Sequence, residues 1–205
     1  MEYKAMAIVG KRGSGKTMYA VHKCKQYYDN GGIIYSNTNL YFGKEKLVIK
    51  EEYSPDEIEA FKKKRLRPLT RYHVDTIPEE LQGACILIDE IQAWADSYKF
   101  YTSESINLSN LMTQMRKRKL FVIITTTHLD QAAKRIRRQM DYICYAEKVY
   151  LPEKQKLGIN PDNIVSAIDI TLANERPEFS FLKRIYFNGE YIKNMYETNQ
   201  IVIPI

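Results

Sequence analysis

Closely spaced glycines near the start of the chain indicate phosphate chemistry. The run Gly10-Lys11-Arg12-Gly13-Ser14-Gly15-Lys16-Thr17 matches the pattern GxxxxGK[ST] in full, after an apolar segment at residues 3–9 and before a helical pattern at residues 16–30. Glycines let successive N–H groups curl around phosphate oxygens, and the following helix directs its positive end at the same charge. An incidental glycine turn is the alternative. The flanking elements favour a nucleoside triphosphate site.

The chemistry of such a loop assigns roles to its residues. Lys16 is expected to act in catalysis by contacting the β and γ phosphates, and Thr17 to give its hydroxyl to Mg²⁺. We expect the nucleotide to be bound by Gly10, Lys11, Arg12, Gly13, Ser14, Gly15, Lys16, Thr17 and Met18. The guanine-reading pattern Asn-Lys-x-Asp does not occur in the sequence, which favours ATP over GTP.

An acidic pair later in the chain fits the same reaction. Asp89 and Glu90 directly follow the apolar run 84–88, which predicts a central parallel strand buried on both faces. Ligands bind at the carboxyl ends of such strands. Asp89 is expected to hold Mg²⁺ through its water shell, and Glu90 to polarise the attacking water by accepting its proton. Together with the phosphate loop, the pair predicts hydrolysis of the bound triphosphate.

Another apolar run, at residues 120–124, ends in Thr125-Thr126-Thr127-His128. Polar side chains at the end of a buried strand indicate a nearby ligand, so this strand end is expected to sense the γ phosphate. Thr126, Thr127 and His128 are all candidates for the sensing group, and Thr127 is taken as a catalytic residue. Alternatively, these threonines end the strand only because of their β propensity and their capping ability.

Basic residues are concentrated between residues 111 and 140, where Asp130 is the only acidic residue. They are Arg116, Lys117, Arg118, Lys119, Lys134, Arg135, Arg137 and Arg138. A phosphate-rich partner such as double-stranded DNA would need such a surface, whereas a solvated face balanced by distant acids is the alternative. Arg116 or Arg118 is also a candidate catalytic arginine that reaches the γ phosphate of a neighbouring subunit, and a solvated or DNA-facing helix end is the alternative.

Length and composition limit the class of protein. The chain has 205 residues, 44% of them hydrophobic, and a formal net charge of +6, which suits a single domain over residues 1–205. Its apolar runs are too short to cross a bilayer, so no membrane insertion is expected. Cys24, Cys85 and Cys144 have no paired spacing, which argues against a disulfide framework or a zinc site and fits a cytoplasmic setting. Cys85 and Cys144 lie in apolar runs and are predicted to be buried free thiols.

The elements that position the candidate residues are predicted from periodicity. Strands are predicted at residues 3–9, 33–36, 84–88, 120–124 and 142–146, and helices at residues 16–30, at 105–119 and from an N-cap at Asp130 to Arg138. This alternation predicts an α/β fold with a mostly parallel central sheet flanked by helices.

Two regions depart from that alternation. Residues 44–80 are charge-rich and contain three prolines, and we interpret them as an insertion with a helix around residues 55–65 and an irregular connection. Residues 164–205 are interpreted as a C-terminal β extension of antiparallel strands. Within it, Asn188-Gly189 predicts a two-residue hairpin turn between residues 184–187 and 190–193.

The chain resembles the FtsK-HerA superfamily of ATPases, and within it the Zot-like (zonula occludens toxin-like) and viral genome-packaging ATPases. The resembling segments are residues 8–17, 33–40 with their asparagine-rich turn, 86–92, 115–137 and 191–203. The resemblance implies a RecA-like (ASCE) P-loop fold and a homo-oligomeric ring, a pentamer or hexamer, that moves double-stranded DNA with ATP. The sensor of the family is a Thr-Gln pair, and Thr126-Thr127-His128 stands in its place without glutamine.

Three functions are compatible with these features. The first is an ATP-driven DNA translocase of viral or mobile-element packaging type. The alternative is a Zot-like virion assembly or extrusion ATPase that acts on protein partners such as a capsid or virion protein. A nucleotide-dependent binding switch with little turnover is the third. Stimulation of ATP hydrolysis by DNA would distinguish among them.

Overall fold

The computed structural model describes residues 4–94, 103–148, 164–172, 179–189 and 191–197. The strands are β1 (Ala5–Val9), β2 (Ile33–Ser36), β3 (Leu40–Phe42), β4 (Glu45–Leu47), β5 (Leu66–Pro68), β6 (Ala84–Ile88), β7 (Phe121–Thr126), β8 (Tyr142–Lys148), β9 (Ile164–Leu172) and β10 (Phe179–Asn188). The α-helices are α1 (Lys16–Asp29), α2 (Pro55–Lys62), α3 (Arg71–Thr76), α4 (Ser103–Gln114) and α5 (Lys134–Arg137). Short 3₁₀ helices lie at Glu79–Leu81, Ile91–Ala93, Leu129–Gln131 and Lys193–Met195.

Eight of the strands form one sheet in the order β10-β9-β8-β1-β7-β6-β2-β5. The strands from β8 to β5 are parallel, and β9 and β10 extend the sheet as antiparallel strands. The register pairs Val9 with Thr126 and Ile88 with Ile124, so the carboxyl ends of β1, β6 and β7 meet at one edge. The predicted fold class is confirmed, and the phosphate loop and the acidic pair leave the sheet at the same edge.

Helices cover both faces of the sheet because the side chains of each strand alternate between two buried clusters. Ala5, Ala7 and Val9 join the cluster that contains residues of α3, α4 and α5, whereas Met6 and Ile8 join the cluster on α1 and the β3–β4 hairpin. The second cluster also holds the three cysteines, which are buried free thiols, as predicted for Cys85 and Cys144. Cover on both faces fixes the positions of the strand ends that carry the site.

The region predicted as an insertion is more regular than the sequence indicated. Its helix α2 begins at Pro55 as predicted but ends at Lys62, and a capping box at Ser54 fixes its start. The expected irregular connection was wrong, because β4 pairs with β3, β5 joins the main sheet as its edge strand, and α3 follows. The strand β5 has three residues and contains Pro68, a residue type that strands tolerate at edges.

Two predicted helix limits were wrong. The helix α4 ends at Gln114 and not at residue 119, because the chain must turn to enter β7, and Lys119 takes a positive φ of 58° there. Asp130 is not an N-cap, since it lies in a 3₁₀ helix and α5 begins only after Ala133. The Asp130 carboxylate instead pairs with Arg137 at 2.6 Å.

The predicted hairpin turn at Asn188-Gly189 was also wrong. The partner of β10 is the preceding strand β9, and the chain after Gly189 makes a turn and a 3₁₀ helix. Ile192 is fully buried in the cluster on α1, so its burial holds this segment against the helix and not along the sheet. Residues 198–205 of the predicted β extension, like residues 198–203 of the resembling tail, lie outside the described residues.

Candidate nucleotide-binding site

Backbone geometry explains the glycines of the phosphate loop. The Gly10 N–H donates to the Thr126 carbonyl at 3.3 Å, and a Cβ atom at Gly10 would lie 2.4 Å from the carbonyl oxygen of Ala146. Only glycine permits this close approach to β8. Gly13 and Gly15 have φ angles of +71° and +95°, in the left-handed region that favours glycine. The sequence spacing of the glycines therefore follows from the path of the loop.

Polar side chains inside the loop fit a bound phosphate. Lys16 opens α1, is 5% exposed, and its Nζ donates to the Lys11 carbonyl at 3.2 Å. The hydroxyl of Ser14 is buried and has no hydrogen-bond partner among the described residues. A buried cation and a buried donor without an acceptor are costly in a protein interior, and phosphate oxygens would satisfy both.

The other predicted loop residues have different environments. Lys11, Arg12 and Gly13 are exposed at the tip of the loop, where they face solvent or a ligand. The side chain of Met18 packs against the cluster on α1. Nucleotide binding by these residues stays a prediction.

Asp89 is the centre of a cluster of oxygen atoms beside the loop. Its carboxylate accepts from the Thr17 hydroxyl at 3.0 and 3.3 Å and from the Thr125 hydroxyl at 2.6 Å. Asp89 is 6% exposed. Hydroxyl and carboxylate oxygens are ligands that Mg²⁺ prefers, so the donor set fits a magnesium ion held by Thr17 and Asp89.

The charge on Asp89 depends on its neighbours. Burial, the largest effect, raises the pKa of Asp89 above its ordinary value, and the charge of Glu90 raises it further. Hydrogen bonds from Thr125 and Thr17 and the charge of Lys16 lower that pKa. The hydroxyls and the lysine therefore favour the ionised form that a metal ion requires.

Glu90 begins the turn after β6 in an unusual conformation. Its φ and ψ are 54° and 61°, in the left-handed region, and its N–H donates to the Thr125 hydroxyl at 2.9 Å. The Gln92 side-chain amide donates to the carboxylate of Glu90. Thr125 thus contacts both members of the acidic pair. It is a site residue that the sequence analysis missed, although it is the first of the polar residues that end this apolar run.

The nominated sensor residues lie one or more positions beyond Thr125. The Thr127 hydroxyl donates to Gln131 Oε1 at 2.6 Å, and the Thr126 hydroxyl donates to the His128 carbonyl at 2.9 Å. Gln131, four positions after Thr127 in the sequence, thus places a glutamine next to the threonines. Sensing by Thr127 stays a prediction.

The candidate catalytic arginines lie at the opposite edge of the sheet. Arg116 is 80% exposed at its side chain and pairs with Asp141, just before β8, at 3.2 Å. Arg118 donates to the Pro78 carbonyl at 2.9 Å, and its own carbonyl accepts from Gly83, just before β6. Strands of this length separate the two edges by roughly 15 Å. The structure does not bring these arginines to the site of their own subunit, and a role in a neighbouring subunit stays a prediction.

A mostly parallel sheet with helices on both faces, a glycine-rich loop and an acidic strand end define a RecA-like P-loop NTPase fold. The chain belongs to the zonular occludens toxin (Zot) family, whose model matches residues 6–189. A comparison with curated protein sequences finds no significant match.

Solved structures of two kinds are among those that resemble the chain. One is the N-terminal domain of zonular occludens toxin from Neisseria meningitidis, with a TM-score of 0.54 and 16% identity over 96% of this chain and 100% of that one. Another is the genome packaging NTPase B204 from Sulfolobus turreted icosahedral virus 2. Its complex with AMP has a TM-score of 0.53 and 16% identity over 89% of this chain and 98% of that one. Its complex with ATP-gammaS has a TM-score of 0.51 and 15% identity over 81% and 92%.

None of the helices in the described parts of the chain is both long enough and apolar enough to cross a bilayer.

Proposed function

We propose that this chain hydrolyses ATP with Mg²⁺ and uses the energy to move double-stranded DNA, as a genome-packaging ATPase of FtsK-HerA type from a virus or mobile element. The convergence of Thr17, Asp89 and Glu90 beside the phosphate loop carries the ATPase part. The similarity to a genome packaging NTPase supports the DNA part. A homo-oligomeric ring of five or six copies completes the proposal.

The residues of the site divide the work of hydrolysis. Lys16 and the loop N–H groups bind and orient the phosphates, while Thr17 and Asp89 hold Mg²⁺. When bound, this ion neutralises charge on the phosphate oxygens. Glu90 accepts the proton of the attacking water at its carboxylate. Its hydrogen bond from Gln92 orients that carboxylate.

Two substitutions separate binding from turnover. Lys16→Ala should lower ATP affinity about 10- to 100-fold, because the lysine binds ground-state phosphates. Glu90→Gln should keep ATP affinity and lower kcat at least about 100-fold, because only the proton acceptor is lost. Lys25→Ala, farther along α1 and paired with Asp29, is the control. ATP hydrolysis by Glu90→Gln at the parent rate would disprove the assignment of the base.

The DNA part rests on the exposed basic residues of α5 and the turn after it. Lys134, Arg135 and Arg138 are exposed, whereas Arg137 is partly buried and paired with Asp130. These three cations have no ion-pair partner among the described residues, and exposed cations suit a phosphate backbone that is bound without sequence preference. We therefore assign DNA contact to this surface.

Charge reversal tests that surface. Changing Lys134, Arg135 and Arg138 to Glu should weaken binding to all DNA sequences and lower the slope of log affinity against log salt by about 2 to 3, through lost counterion release. The matched control reverses three exposed lysines that follow one another, Lys62, Lys63 and Lys64. If the two triple variants weaken DNA binding equally, the effect comes from net charge and DNA contact by this surface is refuted.

Mixing two inactive variants tests whether the active site is shared between subunits. Arg116→Ala disturbs the fold less, because it removes an ion pair to Asp141 from a largely exposed side chain, whereas Arg118→Ala removes bonds to Pro78 and Gln114. An arginine finger is worth about a thousandfold or more in kcat. If one arginine acts in trans, mixtures of the double arginine variant with Glu90→Gln should regain ATPase activity. Mixed oligomers without activity, or a fully active arginine variant, would refute the shared site.

The second candidate function is virion assembly or extrusion on a protein partner. Membership in the Zot family and the match to the N-terminal domain of zonular occludens toxin from Neisseria meningitidis favour it. ATP hydrolysis that rises with a coat or membrane protein and not with double-stranded DNA would select this function over DNA translocation. Slow hydrolysis with neither stimulus would indicate a binding switch.

A further inference from the structure

The turn after β2 places an asparagine against the acidic pair. Asn37 is 1% exposed, its Nδ2 donates to the Asp89 carbonyl at 2.9 Å, and its Oδ1 accepts from the Asp89 N–H at 2.7 Å. A side-chain amide offers one acceptor and two donors, so it can pair with both groups of a peptide backbone. Asn37 therefore satisfies the whole main chain of the residue that follows β6.

The need for this amide follows from the ends of the two strands. The parallel register of β2 and β6 ends with Ser36 opposite Leu87, and the Asn37 N–H donates to the Leu87 carbonyl at 3.4 Å. Asp89 lies two residues beyond Leu87, on the same side of its strand, where β2 offers no further backbone partner. Buried N–H and C=O groups need partners, and the Asn37 side chain supplies them.

The peptide between Asp89 and Glu90 is consequently held from both sides. Asn37 holds it on the β2 side, and the Thr125 hydroxyl accepts from the Glu90 N–H on the β7 side. Glu90 has a Cβ atom, which makes its left-handed conformation unfavourable in isolation. Bonds on both sides of the peptide maintain that conformation, and with it the directions of the two carboxylates.

We propose that Asn37 is a positioning residue for ATP hydrolysis: it fixes the main chain of Asp89 so that the carboxylates of Asp89 and Glu90 face the nucleotide. This inference rests on the proposed ATPase function. The sequence marked Asn37 only as part of a polar turn, and its contact with Asp89 depends on the pairing of β2 with β6.

Substitution at Asn37 tests the role. Asn37→Asp keeps the shape and one acceptor but sets a second oxygen against the Asp89 carbonyl, and Asn37→Ala removes both bonds. Each should lower kcat about 10- to 100-fold, the usual loss for a partner that orients a metal ligand, with little change in ATP affinity. The matched control is Asn39→Ala, because Asn39 bonds Ile49 and Glu197 instead, at 2.7 Å each, and its kcat should equal the parent value.

A double variant separates positioning from general stability. Because Asn37 is proposed to position the carboxylates of both Asp89 and Glu90, adding Asn37→Asp to Glu90→Gln should lower kcat by a smaller factor than Asn37→Asp does in the parent. Three results would each overturn the proposal. The first is that Asn37→Asp lowers kcat by the same factor in the parent and in Glu90→Gln, and the second is that Asn37→Asp has the kcat of the parent. The third is that both Asn37 variants unfold while Asn39→Ala stays folded. Failure of the ATPase function itself is seen separately, as a parent chain without ATP hydrolysis or one that Glu90→Gln does not slow.

Discussion

The Thr125 hydroxyl should stabilise the site measurably, and Thr125→Val removes it at nearly constant shape. When Asp89 is ionised, the lost bond to its buried carboxylate is worth about 2 kcal/mol, and the lost acceptor for the partly buried Glu90 N–H about 1 kcal/mol. The sum of about 3 kcal/mol should lower Tm by roughly 6–12 °C for a chain of this size. The control, Thr126→Val, loses one bond to the His128 carbonyl and should cost about 1 kcal/mol.

Urea unfolding and thermal melts of the parent, both valine variants and Thr125→Ser measure these differences. Thr125→Ser keeps the hydroxyl and should recover most of the loss. The bond from Thr125 lowers the pKa of Asp89, so its contribution is present above that pKa and shrinks as pH falls through it. Equal losses for Thr125→Val and Thr126→Val, or a loss at Thr125 that does not diminish in acid, would refute the reasoning.

Three further predictions concern other parts of the chain. Gly10→Ala should cost about 1–3 kcal/mol in urea unfolding, because its Cβ would meet the Ala146 carbonyl at 2.4 Å; a smaller loss would show that the loop can move away. Burial lowers the pKa of His22 to about 4 from 6.5, so His22 stabilises the fold fully above pH 6.5 and loses this contribution as pH falls toward 4. Parent and His22→Gln unfolding curves should therefore converge in acid, and a constant gap between them would contradict this. Asp141→Ala should cost about 1–2 kcal/mol in thermal melts, because its carboxylate accepts from the Ala5 N–H at 2.8 Å, and an unchanged Tm would contradict that role.

Local pattern determined the core of the fold. Three elements were predicted nearly to the residue: the strands at residues 33–36 and 84–88 and the helix that follows the phosphate loop. Their signals are local, because glycines mark the ends of elements and apolar runs mark buried strands. Elements whose limits depend on distant contacts were placed wrongly. The edge strand β5 exists because β2 offers it a partner, and Ile192 is held by burial on α1, a contact that outweighed the turn signal at Asn188-Gly189.

The sequence by itself determined which chemistry to expect: a complete phosphate loop and an acidic strand end predict the groups that would bind and hydrolyse a nucleoside triphosphate. Only the tertiary structure decided how those groups are held. Thr125 and Asn37 reach Asp89 across neighbouring strands, from 36 and 52 positions away, and no sequence spacing encodes that pairing. Strand order is set by packing and by long-range backbone hydrogen bonds, so the partners of a catalytic residue become known only once the sheet has formed.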